Sequence, residues 1–232
     1  MQMQHIEDGI MIKYLNTLKS VCLFRDLSED AILLIVRSKA CFLKSCKKGI
    51  SIYGFHRDGT FPGIILEGAA DVLQPSVQGH EVIVNRLTAG SSFGFSYACA
   101  GEENRINDIR CVVDSQILFM DISMLLKGDC LPASLETQLL KNLLQLLAEG
   151  AIILNSRVQV LGQKTLKEKL LTYFEQLVEK SGSRKLELDF NREELAAFLC
   201  SERSSVSREL SKLSEEGKIR IRGNQIELRG DP

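Results

Sequence analysis

Neither sign of charge prevails in this chain. Its 29 basic and 30 acidic side chains leave a net −1, so no global positive field advertises a nucleic-acid partner. A local patch on one small domain is compatible with that balance. The seven cysteines include no Cys-x-x-Cys pair and no His/Cys spacing of the zinc kind, and their odd number suits a reducing compartment. No metal site is expected. No apolar run approaches the length needed to cross a bilayer. The opening MQMQHIEDGIMIKYLNTLKSV lacks a basic flank ahead of a clean apolar core. Together these features predict a cytoplasmic protein without a membrane partner. Nor is there a nucleophile motif or a metal constellation. The stretch GSSFG, residues 90–94, lacks the lysine of a phosphate loop, so an enzyme is not expected.

What is present is 44% apolar residues over 232 positions, enough for one large domain or two smaller ones. SVCLFRDLSEDAILLIV, residues 20–36, fits a short helix with Ser28 as its cap. From Ala40 to Asp121 short apolar runs alternate with turns at Asp58-Gly59, Glu67-Gly68, Gln78-Gly79 and Ala89-Gly90. That rhythm predicts an antiparallel barrel or sandwich, and hence an α+β chain. Pro132 opens a long helical tract. In it Leu140, Leu144, Leu147, Ala151, Leu154, Val158 and Leu161 repeat at steps of four and three, an a/d seam. Leu139, Leu143, Leu146 and Ile153 form a second stripe beside it. A helix apolar on two sides needs two partners, its own barrel and the same helix of a second subunit. The alternative is one buried helix of a single large domain. A further helix covers Thr165–Lys180 and ends at Ser181-Gly182-Ser183.

The last fifty residues are the most specific. Leu186, Leu188 and Phe190 alternate as a short strand. Asn191 and Glu194 then have the spacing of a capping box, with Phe190 and Leu195 placed as a hydrophobic staple. A tight connection at Ser201-Glu202 leads to a second helix held down by Val206, Leu210 and Leu213. Ser204, Arg208 and Ser211 point away from that stripe, flanked by Ser207 and Lys212, with Arg203 in the first turn. Small hydroxyls beside arginine forks suit guanine edges or phosphates in a groove. Ile219, Ile221, Ile226 and Leu228 then alternate about a Gly223-Asn224 turn, with Arg220 and Arg222 between them. Two helices and a basic hairpin make a winged helix-turn-helix. From Arg203 to Arg229 seven basic residues stand against four acidic ones. The competing reading is a three-helix protein-interaction domain with a solvated face.

From about Val21 to Leu228 the sequence resembles the catabolite-activator and fumarate–nitrate-reduction (Crp–Fnr) regulators. The resemblance is carried by LFRDLS, IILEG, the Gly79-His80-Glu81 turn, LTAGSSFGF and, most specifically, NREELAAFLCSERSSVSRELSKLSEEGKI. It implies an antiparallel, jelly-roll-like effector-sensing β-roll at 1–131, a dimerisation helix at 132–162 and a winged helix-turn-helix DNA-binding domain at 163–232. The implied partners are a second copy, a palindromic double-stranded operator, RNA polymerase and a small-molecule effector. Residues expected at the DNA are Arg203, Ser204, Ser205, Ser207, Arg208, Lys212, Arg220 and Arg222. Arg203 and Arg208 match the family's base- and phosphate-contacting arginines, while Ser204 stands where cyclic-AMP-responsive members have a glutamate.

The effector cassette departs from the family pattern. Gly94 and Arg105 are kept, but Phe95 replaces the ribose-binding glutamate and Ile106 the phosphate-binding serine. Neither replacement supplies the hydrogen bond that is lost. The expected pocket of Gly94, Phe95, Ser96, Arg105 and Ile106 therefore argues against cyclic AMP. The N-terminal region has only Cys22, which argues against an iron–sulfur cluster. Roll histidines His56 and His80 read as solvated turn residues, which argues against haem. Cys41 with Cys46, or Cys99 with Cys111, are candidate oxidant sensors. The effector stays unidentified, and a sensory protein acting through protein contacts without DNA is the alternative function.

Overall fold

The computed structural model describes residues 8–53, 61–75, 81–102, 108–127, 130–188 and 190–229. The chain divides into two compact units, residues 1–149 and 150–232.

The first unit begins with two short helices that the sequence pattern did not single out, α1 (Asp8–Lys13) and α2 (Leu15–Lys19). A single 3-10 turn at Cys22–Phe24 leads to α3 (Glu29–Val36). Ser28 caps α3 as expected, its Oγ accepting from the Ala31 amide at 3.2 Å. Glu29 and Asp30 add carboxylates where the helix dipole favours them.

The strands are β1 (Cys41–Cys46), β2 (Ser51–Tyr53), β3 (Gly63–Glu67), β4 (Ala69–Pro75), β5 (Glu81–Thr88) and β6 (Ser92–Phe93), then β7 (Asp108–Cys111) and β8 (Ser115–Met120) beyond α4 (Phe95–Ala100). They form two antiparallel four-stranded sheets, ordered β1-β8-β3-β6 and β2-β7-β4-β5. Ile65, Ile117, Phe93 and Phe119 of the first sheet meet Ala70, Leu87 and Ile109 of the second in one apolar layer. The other side of the first sheet presents Ile64, Leu66, Leu118 and Met120 to Phe24, Ile32 and Ile35 of the helices. Strand β3 is therefore buried on both faces, which is why it reads as an unbroken run, Gly-Ile-Ile-Leu. At the β3–β4 corner Gly68 has φ +95°, and a Cβ there would lie 2.3 Å from Ser115 Oγ. No side chain fits.

After α5 (Ile122–Leu125) comes the long helix α6 (Ala133–Leu161). Its Leu139 and Leu143 join the helix-side core of the first unit. Between them Asn142, almost wholly buried, donates through Nδ2 to the carbonyls of Leu23 and Arg25 at 2.9 and 2.8 Å. Two bonds on one amide satisfy a turn that would otherwise bury bare carbonyls.

In the second unit α7 (Leu166–Ser181) starts with a reciprocal capping box between Thr165 and Glu168 and stops at left-handed Gly182. Then follow β9 (Lys185–Glu187), α8 (Arg192–Phe198), α9 (Arg203–Glu215), β10 (Ile219–Arg222) and β11 (Gln225–Leu228). The strands form one antiparallel sheet, β10-β11-β9, so the strand before α8 becomes the third strand of the wing. Leu170, Phe174, Leu195, Leu199, Val206, Leu210, Leu213, Ile219 and Ile226 make the core, with Val160 from the end of α6. Each fully buried leucine or phenylalanine there contributes about 1.5–3 kcal/mol by leaving water.

Candidate nucleic-acid interface

The site is built on the α8–α9 corner. Asn191 Oδ1 accepts from the Glu193 and Glu194 amides at 2.9 and 3.0 Å, and Glu194 Oε2 accepts from the Asn191 amide at 2.9 Å. The box fixes where α8 begins. It ends in a Schellman turn. The Ser201 amide reaches the Ala196 carbonyl at 2.9 Å and the Cys200 amide the Ala197 carbonyl at 3.2 Å. Cys200 occupies the left-handed position, φ +51°, where glycine is usual. The Lys169 ammonium adds a donor to the Leu199 carbonyl.

From this corner α9 runs with Val206, Leu210 and Leu213 against the core. Arg203, Ser204, Ser207, Arg208, Ser211 and Lys212 are exposed, and Ser205 is half-buried. Among the described residues Arg208 is held by long bonds along its own helix, Nε to the Ser204 carbonyl and Nη2 to Ser205 Oγ, both 3.4 Å. Such contacts orient the guanidinium without neutralising it. The N-cap residue Glu202 makes no side-chain cap, so the first amides of α9 face outward. Hydroxyls, an exposed guanidinium and uncapped amides together make a narrow donor surface suited to phosphate and base edges.

The wing arginines are placed differently. Alternation turns Ile219 and Ile226 inward and Arg220 and Arg222 to the outer side of the sheet. The register sets Arg220 opposite Glu227, which is opposite Lys185; Arg222 faces Gln225, which faces Glu187. These side chains line a shallow depression of about 410 Å³. Arg220 therefore has a carboxylate as its cross-strand neighbour and Arg222 a neutral amide, leaving Arg222 the less compensated charge.

Along α6 the expected seam residues Leu140, Leu144, Ala151, Leu154 and Val158 are exposed, while Leu161 is half-buried. Leu147 packs in part against the first unit's own core. Ile153, assigned by pattern to the inner stripe, is 69% exposed, and Ile152 beside it 64%. Phe95 of the expected effector pocket is core, packed with the helical layer. Left-handed Gly94 turns the chain so that Phe93 and Phe95 enter different layers. Ser96 is exposed, and Arg105, Ile106, His56 and His80 lie outside the described residues.

Cys41, Cys46 and Cys111 are buried, whereas Cys99 and Cys200 are exposed. Desolvation pushes the Cys41 thiol up to about 12 and the Cys46 thiol to about 11. Cys46 lies in the same buried cluster as Cys111, whereas Cys41 belongs to the helix-side core.

Pattern reasoning did not find Arg157, whose guanidinium lies 5.2 Å from the Phe198 ring centroid within an aromatic group of Tyr173, Phe190 and Phe198. A lone arginine on a helix gives no local signal of such a seat. Among the described residues no group of side chains could hold a metal ion, and no helix is long and apolar enough to cross a membrane.

Residues 168–230 match the family model of the Crp-like helix-turn-helix domain. No curated protein matches the chain in sequence. Among solved structures the chain is similar to FixK2 from Bradyrhizobium japonicum, with TM-score 0.54 and 23% identity over 82% of this chain and 93% of that one. It is also similar to the c-di-GMP-responsive global regulator CLP of Xanthomonas campestris (TM-score 0.59, 14% identity, 88% and 100% covered). A third similar structure, from Eubacterium rectale, is described as a transcriptional regulator of the Crp/Fnr family (TM-score 0.50, 18% identity, 90% and 94% covered). Residues 168–230 are thus a Crp-like helix-turn-helix domain, and the chain that carries them has the fold of the Crp/Fnr transcription regulators.

Proposed function

We propose that the chain is a homodimeric, sequence-specific DNA-binding transcription regulator. In this reading residues 1–131 sense an effector that is not cyclic AMP, 132–162 pair two copies, and 163–232 bind a palindromic operator. The observation that carries it is the two-sidedness of α9, with Val206, Leu210 and Leu213 buried and Arg203, Ser204, Ser207, Arg208 and Lys212 turned outward.

Arg208 is the base reader, with Ser204 and Ser207 leaving room beside it, and Arg203 and Lys212 meet phosphates. Of the wing pair, Arg222 contributes more to backbone attraction than Arg220, whose cross-strand neighbour is Glu227. The exposed Leu140, Leu144, Leu154 and Val158 supply the apolar seam of a two-fold pair, which would set half-sites about one helical turn, roughly 34 Å, apart. Phe95 supports the exclusion of cyclic AMP, because its ring fills core and offers no acceptor.

Selection of bound duplexes from a random pool, with and without cell metabolites, tests the reading. A palindromic consensus retained with a steep salt dependence is expected. No retained duplex at low salt under any metabolite condition would transfer the function to protein contacts.

A further inference from the structure

Two of the seven thiols, Cys46 and Cys111, share the buried layer between the sheets. Cys46 closes β1 in one sheet and Cys111 closes β7 in the other, and both are buried, at 3% and 2% exposure, in the apolar layer joining the sheets. The register brings them together. Cys46 faces Ser115 across β1 and β8, and the short connection from Cys111 folds its thiol back beside the Ser115 hydroxyl. There the Cys46 and Cys111 side chains lie in one buried cluster. The backbone is pinned on the same spot. The Gly49 amide donates to the Cys111 carbonyl at 2.7 Å and the Cys111 amide to the Ile50 carbonyl at 3.0 Å. The turn leaving Cys46 is thereby tied to Cys111. Two thiols in one buried cluster, on segments tied together by backbone hydrogen bonds, are placed for disulfide formation.

We propose that Cys46 and Cys111 are a latent dithiol that a hydroperoxide-class oxidant converts into an intrachain disulfide stapling the two sheets of the roll. One thiol loses its proton and the thiolate attacks the terminal peroxide oxygen; the O–O bond breaks to give a sulfenic acid, and the departing hydroxide or alkoxide takes up the thiol's proton and leaves as water or alcohol. The second sulfur then displaces hydroxide from the sulfenic sulfur; the S–S bond forms, the S–O bond breaks, and the second thiol's proton leaves with that hydroxide as water. Two thiols are oxidised by two electrons and one peroxide is reduced.

Burial sets the tempo. Desolvation raises both thiols, Cys46 to about 11, so thiolate is scarce at neutral pH and the pair reacts slowly. Well below the pKa the thiolate population, and with it the rate, rises about tenfold per pH unit. Once formed, a bond this shielded is poorly reached by large reductants. Cys99 and Cys200 are exposed and have no such neighbour on hand to resolve a sulfenic acid, so they are the background reaction.

The experiment uses the full chain with Cys99→Ser and Cys200→Ser. It is reduced, exposed to hydrogen peroxide at pH 7 and pH 9, alkylated in denaturant and peptide-mapped. A Cys46–Cys111 linkage is expected, forming about a hundredfold faster at pH 9. The oxidised roll should melt several degrees higher. Cys46→Ala and Cys111→Ala, checked for folding by circular dichroism, should each abolish the linkage. Recovery of both cysteines alkylated after long exposure, or linkage of either to Cys22, Cys41 or Cys130 instead, would overturn the assignment.

Discussion

In the roll, Cys41 pairs with Met120, strands brought together from opposite ends of the domain; in the wing, Ile219 pairs with Leu228 across a two-residue turn. The first unit is held by contacts distant in sequence and the second by contacts nearby, fixed by two capping boxes and a Schellman turn. Loop closure over long separations makes the roll's assembly the slower of the two. It also leaves its register dependent on a few positions where nothing else fits. The helical unit instead distributes its specification over many small local terms.

The sharpest way to break this contrast is core truncation. Phe174→Ala in the second unit should cost about 3–5 kcal/mol and Leu118→Ala in the first about 2–5 kcal/mol, read as shifts in the denaturant midpoint. Both side chains are fully buried. Equal sensitivity would show that the two cores are equally well packed despite their different wiring.

A backbone test comes next, on Gly68 and Gly150. Gly68→Ala meets Ser115 Oγ at 2.3 Å and the Asp114 carbonyl at 2.7 Å in a left-handed conformation, and should cost a few kcal/mol. Gly150→Ala meets nothing within 4 Å inside a helix and should stabilise by about 1 kcal/mol. Paired thermal melts decide both signs.

At the proposed interface, Arg208→Ala should remove about 1–3 kcal/mol of discrimination between an operator and its single-base variants. Arg220→Ala should weaken all duplexes alike. Competition binding separates them, and equal loss of specificity in both would sink the assignment of Arg208 as base reader. The smallest effect is at the cap: Asn191→Ala should lose about 0.5–2 kcal/mol of stability. Asn191→Asp, which keeps the acceptor, should retain most of it.

This difference in wiring also explains what the sequence made legible. Asn191, Glu194 and the Val206–Leu210–Leu213 stripe act within a few residues of one another, so spacing alone located both helices and their outward face. The turns at Gly68 and Gly90 were visible too, but the strand order β1-β8-β3-β6 was not, since no local term encodes which distant strand lies beside which. On α6, Leu139 and Leu143 are buried in the first unit's core, while Leu140, Leu144, Leu154 and Val158 are exposed. Heptad phase gives a direction around the helix but not what stands there. Hence Leu147 proves to touch the roll's core, and Ile153 lies open. The Cys46–Cys111 pair escaped for the same reason. Cys41, Cys46, Cys99 and Cys111 were candidate oxidant sensors, and only the fold shows that Cys46 shares a buried cluster with Cys111 and not with Cys41.

Cys200 takes a left-handed backbone shape that any residue with a Cβ resists, at the bend joining α8 to α9. Swapping in glycine would relax that bend and widen the range of angles the two helices explore. If α9 is the reading helix proposed above, that looseness would lower its discrimination without any change to an outward-facing side chain of α9.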